Sequence, residues 1–151
     1  MTDVLARTRD WFKKAVPIPE IKNFTTQIGV HFEEVCEMIA ELTPRDMATH
    51  ELLLDATITL KKLSEHLKQN AGVIVVTQTN RINYLDALCD QIVTATGCAH
   101  MSHLDIIGAM AETNRSNFSK FGPDGVAKFD ENRKIAKDMS FYTKSDLTPF
   151  V

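Results

Sequence analysis

The sequence predicts an all-α fold, a four- to five-helix bundle with an irregular C-terminal arm. Three observations predict it. Apolar residues recur at alternating spacings of three and four through several long stretches, as amphipathic helices require. Pro17, Pro19, Thr43-Pro44, Asn70-Ala71-Gly72 and Gly122-Pro123-Asp124-Gly125 fall between those stretches and punctuate them. The run Val73-Ile74-Val75-Val76-Thr77 is β-branched throughout; it suits a short strand, an extended connector or a strained helical turn, and it reads as a loop. At 151 residues the chain is most simply one domain. Its helical body covers about 1–120 and its basic arm about 121–151.

Taken in order, residues 3–14 form a short helix that offers Trp11 and Phe12 for packing, and Pro17 stops it. A long helix follows over 23–42, with Ile28, Phe32, Val35, Ile39 and Leu42 as one stripe and Glu34, Glu37 and Glu41 on another face. Asp46 caps the next helix, 47–69, whose stripe is Leu53, Ala56, Leu60, Leu63 and Leu67. A third long helix spans 81–101. Leu85, Leu88, Ile92, Ala95 and Ala99 form its main stripe, with Asp86, Asp90 and Gly97 opposite. The last helix runs from 102 or 103 to 119, and Asn114, Asn117 and Phe121 extend the stripe of Leu104, Ile107, Met110 and Ala111.

Helix 81–101 carries the first chemical signal. Between Ile82 and Leu104 the formal charges are Asp86 and Asp90 alone. Four residues apart, they share a face of a helix that its composition marks as mostly buried, and a buried carboxylate needs a cation or donors. Its charge-poor opposite face predicts a second packing partner there, another subunit or a ligand. A second acidic set, Glu33-Glu34-Val35-Cys36-Glu37, lies upstream at helical spacing. Carboxylate pairs on two helices suit a divalent, oxygen-seeking ion: Mg²⁺, with Mn²⁺ as the alternative. His100 and His103 read as packing or surface residues. No histidine stands three after a glutamate, so the di-iron pattern is absent.

Net charge is −3, but residues 1–112 hold 10 basic and 15 acidic side chains while 113–151 hold 7 and 5, so an acidic body precedes a basic tail. Such a balance can hold a cation and a phosphate together. Nothing in it points to nucleic acid or to an anionic membrane. Cys36, Cys89 and Cys98 are odd in number and lack a CxxC pair, so they read as buried free thiols. With no signal segment and no spanning run, the chain reads as cytoplasmic.

Three stretches, HFEEVCEMIAEL at 31–42, DALCDQIVTATGCAH at 86–100 and ETNRSNFSKFGPDG at 112–125 (followed by KIAK and FYTKSDL), resemble the MazG-like all-α nucleoside triphosphate pyrophosphatase superfamily. That superfamily also includes phosphoribosyl-ATP pyrophosphohydrolase and dimeric dUTPases, and the likeness is to its small single-domain type. The resemblance implies a Mg²⁺-dependent hydrolase that cleaves a (d)NTP-type substrate between the α- and β-phosphates. It implies Glu34, Glu37 and Asp90 as catalytic, with Asp86 joining them as metal ligands. It implies Asn114, Asn117, Lys120, Lys134, Lys137 and Tyr142 as substrate contacts, and a homodimer or dimer of dimers. The chain departs from the pattern twice. Ala87 stands three before Asp90, so Asp86 must supply the second acid, and Asp138-Met139 replaces Gly-Pro after Lys137. The competing expectations are a non-catalytic helical interaction module and a metal-dependent hydrolase of another phosphorylated metabolite.

Overall fold

The computed structural model describes residues 3–151. Five helices carry the fold: α1 (Val4–Ala15), α2 (Ile21–Ala40), α3 (Met47–Gln69), α4 (Arg81–Met101) and α5 (Ile106–Phe118). A two-stranded ribbon, β1 (Lys128–Phe129) and β2 (Ile135–Ala136), sits in an otherwise irregular arm. The fold is therefore an all-α bundle with a C-terminal arm. Side-chain caps start three of the helices. The Asp3 carboxylate accepts from Leu5 N and Ala6 N, Asp46 from Thr49 N, and Asp105 from Gly108 N. The β-branched run 73–77 is irregular chain between α3 and a 3₁₀ turn, Gln78–Asn80, with Thr77 extended.

The chain divides into two compact units. One holds the chain up to Ile18, Val76–Lys128 and Ile135–Val151; the other holds Pro19–Val75 and Phe129–Lys134.

In the first unit α1 packs on α5. Trp11, Ala15 and Phe121 form its core, with Val16, Phe118, Ala127 and Ile135 around them. Trp11 stacks on Phe121 at 6.0 Å and donates Nε1–H to the carbonyl of Asn117 at 2.8 Å. The last residues close over the start of α5: Phe150 O accepts from Asp105 N, and the Phe150 ring lies against Gly108, where a Cβ would come within 2.5 Å of it.

In the second unit α2 and α3 form a hairpin. Ser64 Oγ donates to Gly29 O at 2.7 Å and Cys36 Sγ to Thr57 O at 3.8 Å, and the reversed order of these pairs makes the helices antiparallel. The buried seam shares only Leu67 with the predicted stripes. On α2 it is Thr25, Thr26, Gly29 and Cys36, and on α3 it is Ser64, Leu67 and Lys68. Leu42 and Leu63, expected inside, are exposed. Small residues won these positions because they let two backbones approach closely. A Cβ on Gly29 would sit 2.7 Å from Ser64 O.

Helix α4 corrects another expectation. It is not mostly buried: of its 21 residues Ala99 alone is buried, and Asp86 and Asp90 are both exposed. Their shared face carries no desolvation cost, so the argument that they demand a compensating cation fails. Cys89 and Cys98 are likewise exposed on α4, and only Cys36 is a buried thiol.

Candidate functional site

The α2 acids border a cleft of about 330 Å³ in the second unit, lined by Glu33, Cys36, Glu37, Ala40, Lys61, Ser64 and Glu65. Glu33 and Glu37, one helical turn apart, both face it. Glu34 is exposed on the adjoining face, three residues from Glu37. The carboxylates differ in their surroundings. Glu33 Oε2 accepts from Lys134 Nζ at 3.0 Å, and Glu33 Oε1 lies 3.4 Å from Lys68 Nζ. Burial pushes Glu33 up, but Lys134 and Lys68 more than offset it and hold it below the usual carboxylate range. Lys68 is itself buried and bridges Glu33 to Glu65, whose Oε1 is 2.5 Å away. Burial lowers the Lys68 ammonium, and the Glu65 hydrogen bond and the Glu33 charge reverse that and raise it.

A short turn delivers Lys134. Asp130 Oδ1 accepts from the backbone N–H groups of Asn132 and Lys134, and Arg133 adopts φ 64°, a left-handed conformation. Thr26 Oγ1 donates to Asn132 O at 2.8 Å, which fixes the turn on α2. Lys134, expected on substrate, is thus the counter-ion of Glu33.

Asp86 and Asp90 stand in the first unit as a solvated pair. Among the described residues no three His, Cys, Asp or Glu side chains group closely enough to hold a metal ion. The α2 pair Glu34 and Glu37 still fits Mg²⁺ in donor type. Mg²⁺ is often held by one or two carboxylates, with water and substrate phosphates completing its shell.

The expected substrate contacts fall into two kinds. Lys120, Lys137 and Tyr142 come together in the first unit at the C-terminal end of α5. Lys137 Nζ lies 4.7 Å from the centre of the Tyr142 ring, and Lys120 Nζ lies 5.3 Å from that of Trp11. A hydrogen bond with the Ser116 side chain lowers the Tyr142 phenol, and the charges of Lys137 and Lys120 lower it further, against partial burial. Arg115 pins this part of the arm to α5. Its guanidinium grips Glu112 through two nitrogens, at 2.8 and 2.6 Å, and also donates to Thr143 Oγ1 and Lys144 O. Thr143 N donates to Ser119 Oγ, and Asp146 N to Glu112 Oε1.

Asn114 is of the other kind. Asn114 is 1% exposed; its Nδ2 donates to Val4 O at 2.9 Å and its Oδ1 accepts from Thr8 Oγ1 at 3.0 Å. Its carboxamide is consumed in joining α5 to α1, so it is not a ligand donor. Asn117 is half-buried, and its backbone carbonyl accepts from Trp11 Nε1.

Sequence reasoning missed Glu33 as the ion-paired member of the α2 set and Lys68 as its buried partner. The signal for Lys68 was present: Gly29 stands where α3 must pass, and position 68 follows Ser64 by one turn. Lys134 had no local signal, because its partner lies 101 residues away. Comparison of the chain with protein-family models, with curated proteins and with solved structures returns no match.

Proposed function

We propose that the chain is a Mg²⁺-dependent nucleotide pyrophosphohydrolase that converts a (d)NTP-type substrate to a monophosphate and pyrophosphate. The observation that carries this reading is the gathering of Lys120, Lys137 and Tyr142. Separated by up to 22 residues in sequence, they meet around one phenol, held there by the Arg115 clamp. Two ammonium groups beside a phenol suit the oxygens of a polyphosphate. The acidic half of the reading is what the family resemblance implies for Glu34, Glu37, Asp86 and Asp90.

In this reading water attacks the α-phosphorus, the bond to the bridging oxygen breaks, and pyrophosphate departs with the electron pair. The resemblance implies Glu37 or a neighbouring carboxylate as the group that takes the proton of the water. Lys120, Lys137 and Tyr142, gathered within the first unit, are the phosphate contacts of this reading. Bound Mg²⁺ would supply neutralisation of phosphate charge and acidification of a coordinated water.

Incubating the protein with Mg²⁺ and a panel of (d)NTPs tests this, with release of pyrophosphate as the expected result. Glu37→Gln and Asp90→Asn should each lower turnover by about 10²-fold or more with the helical signal retained. Absence of pyrophosphate from every nucleotide would sink the reading. A second reading, a non-catalytic interaction module, is favoured by the uncovered apolar surface of α4. It gains if Mg²⁺ with nucleotide leaves the melting temperature unmoved.

A further inference from the structure

Residues 137–147 lie between β2 and a 3₁₀ turn, Thr148–Phe150, and run back along α5 against its direction. Their partners on α5 fall in reversed order. Tyr142 bonds the Ser116 side chain, and Thr143 N donates to Ser119 Oγ. Arg115 donates to Thr143 Oγ1 and Lys144 O, and Asp146 N donates to Glu112 Oε1. Phe150 then reaches Asp105 and Gly108 at the start of the helix. The two ends of this strap are held differently. At the far end the Phe150 ring fills the space that Gly108 leaves, an apolar contact. Across 142–146 the hold is a set of hydrogen bonds at the surface. The strap's own Met139, Phe141 and Leu147 are exposed and Tyr142 is half-buried. A segment that buries little apolar surface, with hydrogen bonds facing water, opens locally while the rest of the fold stays closed.

The strap also carries charge that opposes its own docking. Lys137 and Tyr142 ride on it, while Lys120 stands on the body just past α5. The charges of Lys137 and Lys120 both reach the Tyr142 phenol. Docking therefore brings two ammonium groups toward one point. A chain of two or three phosphates between them turns that repulsion into attraction, and its oxygens accept charge-assisted hydrogen bonds from both. Such an anion meets Lys120, Lys137 and Tyr142 together only when the strap is docked, so its binding must favour the docked state.

We propose that residues 137–147 are a strap that an oligophosphate closes, anchored at Phe150 and released along 142–146 when the anion leaves. The inference rests on the phosphate contacts of the hydrolase reading and not on turnover. Amide hydrogen exchange of the full chain, with inorganic tripolyphosphate as the probe and EDTA to remove divalent ions, tests it without catalysis. The Thr143 and Asp146 amides should exchange about 10-fold or more slowly with the anion present, while those of α2 and α3 should not change. Sodium chloride at the same ionic strength should speed the strap's exchange, because it screens the Arg115–Glu112 pair. Lys137→Ala should lose the response to tripolyphosphate, and Lys137→Arg should keep it. Three results would each overturn the proposal: strap amides already as slow without the anion as those in the middle of α5, no slowing by tripolyphosphate, or equal slowing in Lys137→Ala. Slowing without pyrophosphate release from any nucleotide would keep the strap and remove the hydrolase. Release of pyrophosphate without slowing would keep the hydrolase and remove the strap.

Discussion

Replacing Gly29 with alanine probes the seam that holds α2 to α3. The new Cβ would lie 2.7 Å from Ser64 O, 2.9 Å from Lys68 Cγ and 3.3 Å from Lys68 N. Two of these atoms are backbone, so rotamer changes cannot clear the space and the helices must part by several tenths of an ångström. Overpacking of this sort costs about 1–3 kcal/mol. Separation also stretches the buried Ser64 Oγ to Gly29 O bond, now 2.7 Å, which contributes about 1 kcal/mol. Against this, alanine is favoured over glycine inside a helix by about 1 kcal/mol. The balance is a loss of about 1–3 kcal/mol. Urea denaturation followed by circular dichroism should show a lower midpoint. An unchanged or raised midpoint would refute the close-approach argument, since only the propensity gain would then remain.

Asn114→Ala should lower stability by about 1–3 kcal/mol, because Val4 O and Thr8 Oγ1 both lose a buried partner; a thermal melt reads it, and an unshifted curve would deny the amide its role between α1 and α5. The Glu112 carboxyl, held by the Arg115 hydrogen bonds and by Asp146 N, is lowered to about 2. Its folded value lies below its unfolded one, so the stability it lends is complete above about 4.5 and is lost as pH falls toward 2. A carbon-detected titration should place its midpoint there, and Arg115→Met should return it toward the ordinary range. Lys137→Ala removes one of the charges that depress the Tyr142 phenol, so ultraviolet titration should show that phenol ionising at higher pH; no change would separate Lys137 from the site.

The helices were legible because their signals are local. Asp46 and the stripe after it mark α3 at 47–69, and the charge-poor segment 81–101 is α4 as read. What faces what was less legible. Hydrophobic periodicity assigns Leu63 inward and overlooks Ser64, because it weighs apolarity and not the room two helices need to come close. For α4 the error has a different origin. An apolar helix reads as interior whether its cover comes from its own chain or from elsewhere. Of the candidate site, Lys137 and Tyr142 lie five residues apart and could be paired on paper. The contacts of Asn114 and Lys134 lie more than 100 residues away, and nothing in the sequence weighs such pairings.

The chain leaves one unit to give residues 129–134 to the other, then returns. During synthesis the α2–α3 hairpin emerges long before that turn, so Glu33 waits beside Lys68 alone for some sixty residues of elongation. The first helix waits too, since Trp11 finds Phe121 only after most of the polypeptide exists. Closure of both units thus depends on late-made chain, which slows folding relative to a bundle of sequential neighbours. A premature stop near residue 120 would yield all five α-helices and neither finished unit.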